Sequence, residues 1–229
     1  MKCKLLLVGA KGNMGRRYAA ILKSFFPETS VIGVDIGDPW PLSFDKAIVA
    51  TPTETHYNIC LKLAASRKPF LCEKPVVKTL PQMETLVQNC SMGYMVNNWA
   101  HVFPDWYLKP NDSIIDYDFY HTGHDGLHWD CIQLHYLAKE IKINNESPYF
   151  RASINGEEVT LEMIEASYTK MLSFFLKDDE RWLWTMQDAL NATRKVSALI
   201  SGHDPDCPTY FAENLESEDF SRTLEYDRL

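Results

Sequence analysis

The feature that most constrains this chain is an alternation within its first 75 residues, where short apolar runs are each followed by a stretch of different periodicity. "KLLLVGA" (4–10), "SVIGVDI" (30–36), "KAIVAT" (46–51) and "PFLCEKP" (69–75) are the apolar runs. "KGNMGRRYAAILKSFF" (11–26) and "THYNICLKLAASRK" (55–68) carry helical spacing. Runs this short and apolar predict strands buried on both faces. Strands that alternate with helices predict parallel pairing through right-handed crossovers.

The first turn narrows the class to a Rossmann-type unit. Gly9, Gly12 and Gly15 form G-x-x-G-x-x-G between the first strand and the first helix. Small residues there let the backbone approach a pyrophosphate, and the helix N-terminus faces its charge. Gly9, Lys11, Gly12, Asn13 and Met14 are therefore candidate cofactor-binding residues. Asp35 ends the second strand, 20 residues beyond Gly15, where a carboxylate can accept hydrogen bonds from an adenosine ribose. The expected cofactor is NAD or NADP. NAD is preferred because Asp35 repels a 2′-phosphate, although Arg16 and Arg17 stand close enough in sequence to oppose that. Between Asp35 and the third strand lies only "IGDPWPLSFDK", too short and proline-rich for a crossover helix, so an adenine pocket there is built from loop residues such as Trp40 and Pro41.

Composition excludes other classes. The net charge of −8 argues against a nucleic-acid surface, which needs clustered Lys and Arg. The segment from His203 to Leu229 holds eight acidic residues against Arg222 and Arg228, a net of −6, and reads as an extended acidic tail. No run of about 18 apolar residues predicts a membrane span, and the apolar N-terminal stretch is too short for a signal peptide. A cytoplasmic location is expected. The six cysteines form no CxxC pair and read as free, mostly buried thiols.

The block "AIVATPTETHYNICLKLAASRKPFLCEKPVV" (47–77) carries a resemblance. It is similar to the third-strand, helix and fourth-strand segment of the Gfo/Idh/MocA family, named for glucose-fructose oxidoreductase and inositol dehydrogenase. Thr51, Pro52, His56, Lys68, Pro69 and Glu73-Lys74-Pro75 match that pattern. "MVNNWAHVFPDW", "DGLHWDCIQLHYLAKEI", "YFRASINGEEVTLE", "ASYTKMLSFFLKDD" and "MQDALNATRKVSALI" resemble later segments more faintly, so the likeness reaches residue 201. Members of the family are usually much longer. The resemblance implies an α/β fold, a Rossmann-type parallel sheet with a reduced C-terminal α+β substrate domain. The expected division is 1–100 for the dinucleotide-binding domain, 101–201 for the substrate domain and 202–229 for the acidic tail, with a closing helix over 185–201 able to pack back on the first. Independently of any family, Asn155-Gly156 is a strong hairpin signal.

The activity implied is reversible hydride transfer between a nicotinamide and a hydroxyl or carbonyl carbon of a sugar, nucleotide-sugar, cyclitol or related small molecule. In that reading Thr51, Pro52, Thr53, His56 and Glu73 line the cofactor, and Lys74 polarises the reacting oxygen, a task its cation suits. His128 moves the proton, with Asp125 or His124 as its carboxylate-position partner; histidine titrates in the range such a step needs. Asn97, Trp99 and Trp129 are candidate substrate contacts. His124, His128, Cys131 and His135 share one helical face, but four ligands along one helix span about 16 Å at ~1.5 Å per residue, too far apart to meet one ion, so no metal is expected. The partner is a small molecule, with neither nucleic acid nor membrane, and a homodimer is left open. Two other readings stand beside the oxidoreductase: a non-catalytic protein keeping the fold for binding or assembly, and an imine or enamine reductase using the same lysine.

Overall fold

A computed structural model of the chain describes residues 3–119, 131–144 and 146–201. Strands β1 (Lys4–Val8), β2 (Ser30–Val34), β3 (Lys46–Val49), β4 (Phe70–Cys72) and β5 (Gly93–Met95) pair in parallel in the order β5-β4-β3-β1-β2. Helices α1 (Asn13–Phe25), α2 (Thr53–Ala65) and α3 (Leu80–Asn89) connect them. The Rossmann-type sheet expected from the alternation is therefore present.

The second strand departs from expectation. Its burial is low through Gly33, and Val31 is exposed, so β2 is not a strand buried on both faces. The reason is the missing crossover helix: residues 35–45 contain none. Phe44 is buried in the cluster that holds Leu6, Val8 and Val49, with Trp40 packed against it, so two loop aromatics cover part of the sheet that a helix would otherwise shield. Trp40 lies edge-on to Phe44 and beneath the Lys62 ammonium, 3.7 Å from its ring centre. It is thus committed to packing on α2.

The second half of the chain builds a smaller sheet and also returns to the first. Strands β6 (Ser113–Asp118), β7 (Ala138–Ile143), β8 (Arg151–Ile154) and β9 (Glu157–Glu158) form the order β7-β6-β8-β9, with α4 (Cys131–Leu137) leading into β7. Asn155 and Gly156, both at positive φ (54° and 82°), make the two-residue β8–β9 turn, as their sequence predicts. Helix α5 (Leu161–Leu176) then lays Tyr168, Met171, Leu172 and Phe175 against Leu5, Leu7, Ile48 and Leu71 of the parallel sheet. Strand β10 (Trp184–Thr185) adds antiparallel to β5 as a sixth strand, and α6 (Met186–Ser201) packs on α3, α4 and β5. Among the described residues no helix is long and apolar enough to cross a membrane.

Polar anchors fix α5. The Lys46 ammonium, at the start of β3, donates to the carbonyls of Phe175 (2.6 Å) and Leu176 (3.3 Å) and pairs with Asp178 (2.5 Å). It thereby satisfies carbonyls that a helix C-terminus leaves without an intrahelical donor. Near Trp99, the Gln133 side chain accepts from the Trp99 amide (3.0 Å) and donates to Asn98 (3.0 Å), which donates to Ser167 (3.2 Å). This network joins α4, α5 and the turn after β5.

His101 stacks between Tyr107 and Phe174, ring centres 5.2 and 5.3 Å away, and its Nε2 donates to the Trp182 carbonyl (2.9 Å). Burial, reinforced by the Lys170 ammonium, pushes its imidazole down to about 3. The unfolded chain, with a pKa of about 6.5, therefore takes up this proton first. The contribution of His101 to stability is complete above that value and is lost as pH falls from there towards 3. His101→Phe keeps the ring but removes the titration. It should flatten the acid-side stability slope by up to one proton, about 1.4 kcal/mol per pH unit. Urea midpoints taken from about pH 7 to about pH 4 measure that slope, and parallel slopes in the two proteins would contradict the assignment.

Candidate active site

The C-terminal ends of β1 to β4 all open on one edge, where ligands of parallel sheets bind. The first loop owes its shape to its glycines. Gly9 has φ +90°, and a Cβ there would lie 2.5 Å from the Ala50 carbonyl oxygen; one on Gly15 would lie 2.0 Å from the Gly9 oxygen. These two glycines are thus required by the protein's own backbone packing, whatever binds. Gly12 differs: a Cβ there would meet only the Gly9 oxygen at 3.4 Å and the Ala50 oxygen at 3.6 Å. It caps α1 with no side-chain hydrogen bond, and the first turn holds no acidic residue. The N-terminus of α1 therefore presents amide groups and positive dipole without a carboxylate to repel an anion.

Asp35 meets this loop. It accepts from the Lys11 amide (3.2 Å) and lies 3.3 Å from the Lys11 ammonium, which is 84% exposed. Arg16 donates to the Lys11 carbonyl (2.9 Å) and to Asn13 (2.7 Å). Arg17 pairs with Glu165 on α5 (2.7 Å) and overlies the Tyr168 ring. Both arginines are thus engaged with partners other than Asp35. Met14 packs against the cluster holding Tyr18 and Leu22. These features suit a dinucleotide: an open helix N-terminus for the pyrophosphate and a carboxylate at the end of β2 for the ribose.

At the β3 and β4 ends the expected contacts divide into surface and support. Thr51 is half-buried, and its hydroxyl accepts from Thr55 (2.7 Å); Pro52 is exposed at the start of α2. The buried Thr53 hydroxyl has no partner among the described residues. His56 is buried, with Nε2 2.7 Å from the Thr51 carbonyl and Nδ1 3.0 Å from the Pro75 carbonyl. Burial holds its pKa below the ordinary value against the pull of those carbonyls. A neutral ring donates to one of them, and the side chain ties the loop after β3 to the loop after β4. Both of its ring nitrogens are thus turned to backbone carbonyls.

Glu73 is likewise turned inward. It accepts from the Tyr18 hydroxyl at 2.5 Å and from the Lys74 amide at 3.2 Å. Burial, with the Glu73 charge adding to it, holds the Tyr18 phenol well above its usual pKa, so the phenol keeps its proton and donates it to the carboxylate. Lys74 follows, with 4% of its surface exposed and its Nζ 3.4 Å from the Tyr168 hydroxyl.

The two described substrate candidates both lie in the interior. Asn97 and Trp99 are both fully buried. Asn97 donates to the Trp182 carbonyl (3.1 Å), and Trp99 packs on Tyr117 and Phe150, ring centres 5.9 and 6.5 Å away. Trp99 joins the two sheets, which is why an aromatic stands there. His124, Asp125, His128 and Trp129 lie outside the described residues. His135, the one described histidine of the helical face weighed for a metal, sits on α4, where burial and then the Lys195 charge of α6 lower its pKa. Tyr168 and Tyr18 were not foreseen as site residues. Their distance in sequence from Lys74, 94 and 56 residues, hides them.

The fold and this edge are those of a Rossmann-type α/β protein. Residues 36–93 match the model of the Gfo/Idh/MocA family, described as an oxidoreductase family with an NAD-binding Rossmann fold. Among solved structures, the chain is similar to a myo-inositol dehydrogenase from Corynebacterium glutamicum (13% identity, TM-score 0.67, covering 87% of this chain and 96% of that one). It is also similar to myo-inositol dehydrogenase from Lactobacillus casei in complex with NAD(H) and myo-inositol (12%, 0.65, 86% and 93%). A third is the WlbA (WbpB) dehydrogenase from Thermus thermophilus in complex with NAD and UDP-GlcNAcA (15%, 0.53, 86% and 94%). No curated protein matches the sequence. The chain therefore resembles the Gfo/Idh/MocA oxidoreductases in sequence over residues 36–93 and shares their fold over most of its length.

Proposed function

We propose that the chain is an NAD-dependent dehydrogenase acting on a hydroxyl or carbonyl carbon of a small polyol, sugar or nucleotide-sugar. The observation that carries this is the Lys74 ammonium, held at the end of β4 on the same sheet edge as the open N-terminus of α1. When bound, the nicotinamide cofactor would supply the redox step. Gly12, Asn13 and the α1 N-terminus would hold its pyrophosphate, and Asp35 its ribose. Lys74 would donate a hydrogen bond to the substrate oxygen and stabilise the negative charge that grows there. The family resemblance assigns the proton to His128, with Asp125 or His124 beside it. Family likeness to proteins seen with myo-inositol and UDP-GlcNAcA supports the substrate class.

NAD(H) should bind more tightly than NADP(H). Asp35 repels a 2′-phosphate, with the Lys11 ammonium 3.3 Å away offsetting part of its charge, and Arg16 and Arg17 have other partners. Isothermal titration with NADH and NADPH decides this: tighter NADPH binding sinks the preference, and no binding of either sinks the enzyme. One observation favours the second reading, a non-catalytic binding or assembly protein. Two of the three glycines are demanded by internal packing, so their presence persists without a cofactor.

A further inference from the structure

The carboxylate at the end of β2 is held twice by the same residue. Asp35 Oδ1 accepts from the Lys11 amide at 3.2 Å, and Oδ2 lies 3.3 Å from the Lys11 ammonium. Lys11 stands 24 residues earlier, in the glycine loop between β1 and α1, so the pair closes that loop onto the end of β2. The partners differ in freedom, because the Lys11 side chain is 84% exposed and that of Asp35 only 26%. An ion pair this open is worth little by itself and is screened by salt. The ammonium can therefore change partner cheaply, while the carboxylate stays where the backbone amide holds it.

Asp38 and Arg16 border the pair. Asp38 accepts from the Asp35 amide at 2.9 Å, which brings a second carboxylate to the end of β2. Arg16 donates to the Lys11 carbonyl and to Asn13, and so braces the backbone from which the Lys11 side chain projects. A dinucleotide bound at this edge lays its adenosine ribose on Asp35, and the 2′-hydroxyl of that ribose carries the extra phosphate of NADP(H). A cation beside the carboxylate therefore acts on cofactor choice in two ways. It offsets the charge that repels the phosphate, and it is itself a partner for that phosphate.

We propose that Lys11 is a specificity-determining residue for the cofactor: its ammonium lessens the preference for NAD(H) that Asp35 creates and pairs with the 2′-phosphate when NADP(H) binds. This rests on the dehydrogenase reading for the presence of a dinucleotide, and it assigns discrimination to a charge pair rather than to Asp35 alone. An ammonium in the glycine loop also attracts the pyrophosphate, which both cofactors share. Only the ratio of the two affinities isolates its effect at the 2′ position.

The test is the dissociation constant for NADPH divided by that for NADH, measured by isothermal titration on the full chain at about 0.1 M salt. Lys11→Met should raise the ratio roughly fivefold or more, because the phosphate loses its cation and Asp35 its counter-charge. Lys11→Gln should follow Lys11→Met, and Lys11→Arg should follow the wild type. Asp35→Asn keeps an oxygen for the Lys11 amide but removes the charge, so the ratio should fall below one, and adding Lys11→Met should raise it again. Lys23→Met controls for net charge. It lies in the last turn of α1, about 15 Å along the helix, beyond the screening length of about 10 Å, and should leave the ratio unchanged. An unchanged ratio in the Lys11 variants, with both cofactors still bound, overturns the proposal and leaves the dehydrogenase reading standing. So does a shift that Lys23→Met reproduces, or one seen only in Arg16→Met. Failure of the wild type to bind either dinucleotide removes both. The ratio needs no turnover, so its shift supports Lys11 even in a chain that oxidises no polyol.

Discussion

On the proposed dehydrogenase reading, Lys74→Met should lower turnover by about 100-fold or more and leave the protein folded, the effect expected when a preorganised charge at a reacting oxygen is removed. Methionine keeps an unbranched stem at a position only 4% exposed, so packing is retained. What disappears is the charge. The substitution also frees Tyr168 from accepting the ammonium proton, at a cost to stability of about 1 kcal/mol. Steady-state kinetics with NAD, alongside a thermal melt, separates the two effects. Full activity in a folded variant would return Lys74 to a structural role. A large loss in kcat with a melt lowered by only roughly 2–4 °C supports its place at the reacting centre.

Gly15→Ala should have the largest effect on stability. The added Cβ would lie 2.0 Å from the Gly9 carbonyl oxygen and 2.9 Å from the Ala10 Cα and carbonyl carbon, all backbone atoms that cannot swing aside. Relief requires the loop to move, yet the Gly9 and Ala10 amides are bonded to the Val34 carbonyl at 2.8 and 3.2 Å. Overpacking of this kind costs about 3 kcal/mol or more. For a domain of this size that is a fall of roughly 6–12 °C in melting temperature. NADH affinity falls with it, because the same loop presents the α1 N-terminus. Gly37→Ala is the matched control. Its φ is +91°, but nothing lies within 4 Å of the new Cβ. Only backbone strain remains there, about 1–2 kcal/mol. A Gly15→Ala protein as stable as the Gly37→Ala one would show that the loop relaxes freely and that the glycine pattern is not set by packing.

Local order sufficed for much of this protein. The parallel sheet could be read from the sequence because apolar runs of four to six residues separated by helical spacing have few other ways to bury their faces. Asn155-Gly156 named its own turn, since that pair tolerates positive φ at both positions. The glycine spacing and Asp35 were legible because a loop between strand and helix imposes narrow backbone demands. The lysine in "CEKP" stood out because a cation at the end of an apolar run needs a reason.

Tertiary structure alone decided which of these residues face outward. The residue types of His56, Glu73, Asn97 and Trp99 suit a ligand, and nothing in their spacing distinguishes a ring nitrogen turned to a backbone carbonyl from one turned to a cofactor. That choice depends on groups distant in sequence: Pro75 for His56, Tyr18 for Glu73, Trp182 for Asn97, and Tyr117 with Phe150 for Trp99. The exposure of β2 likewise followed from what failed to cover it. Tyr168 reached Lys74 only because α5 folds back onto the first sheet, a contact across 94 residues whose free energy comes from burying one helix face, and such long-range choices leave no periodic trace in the chain.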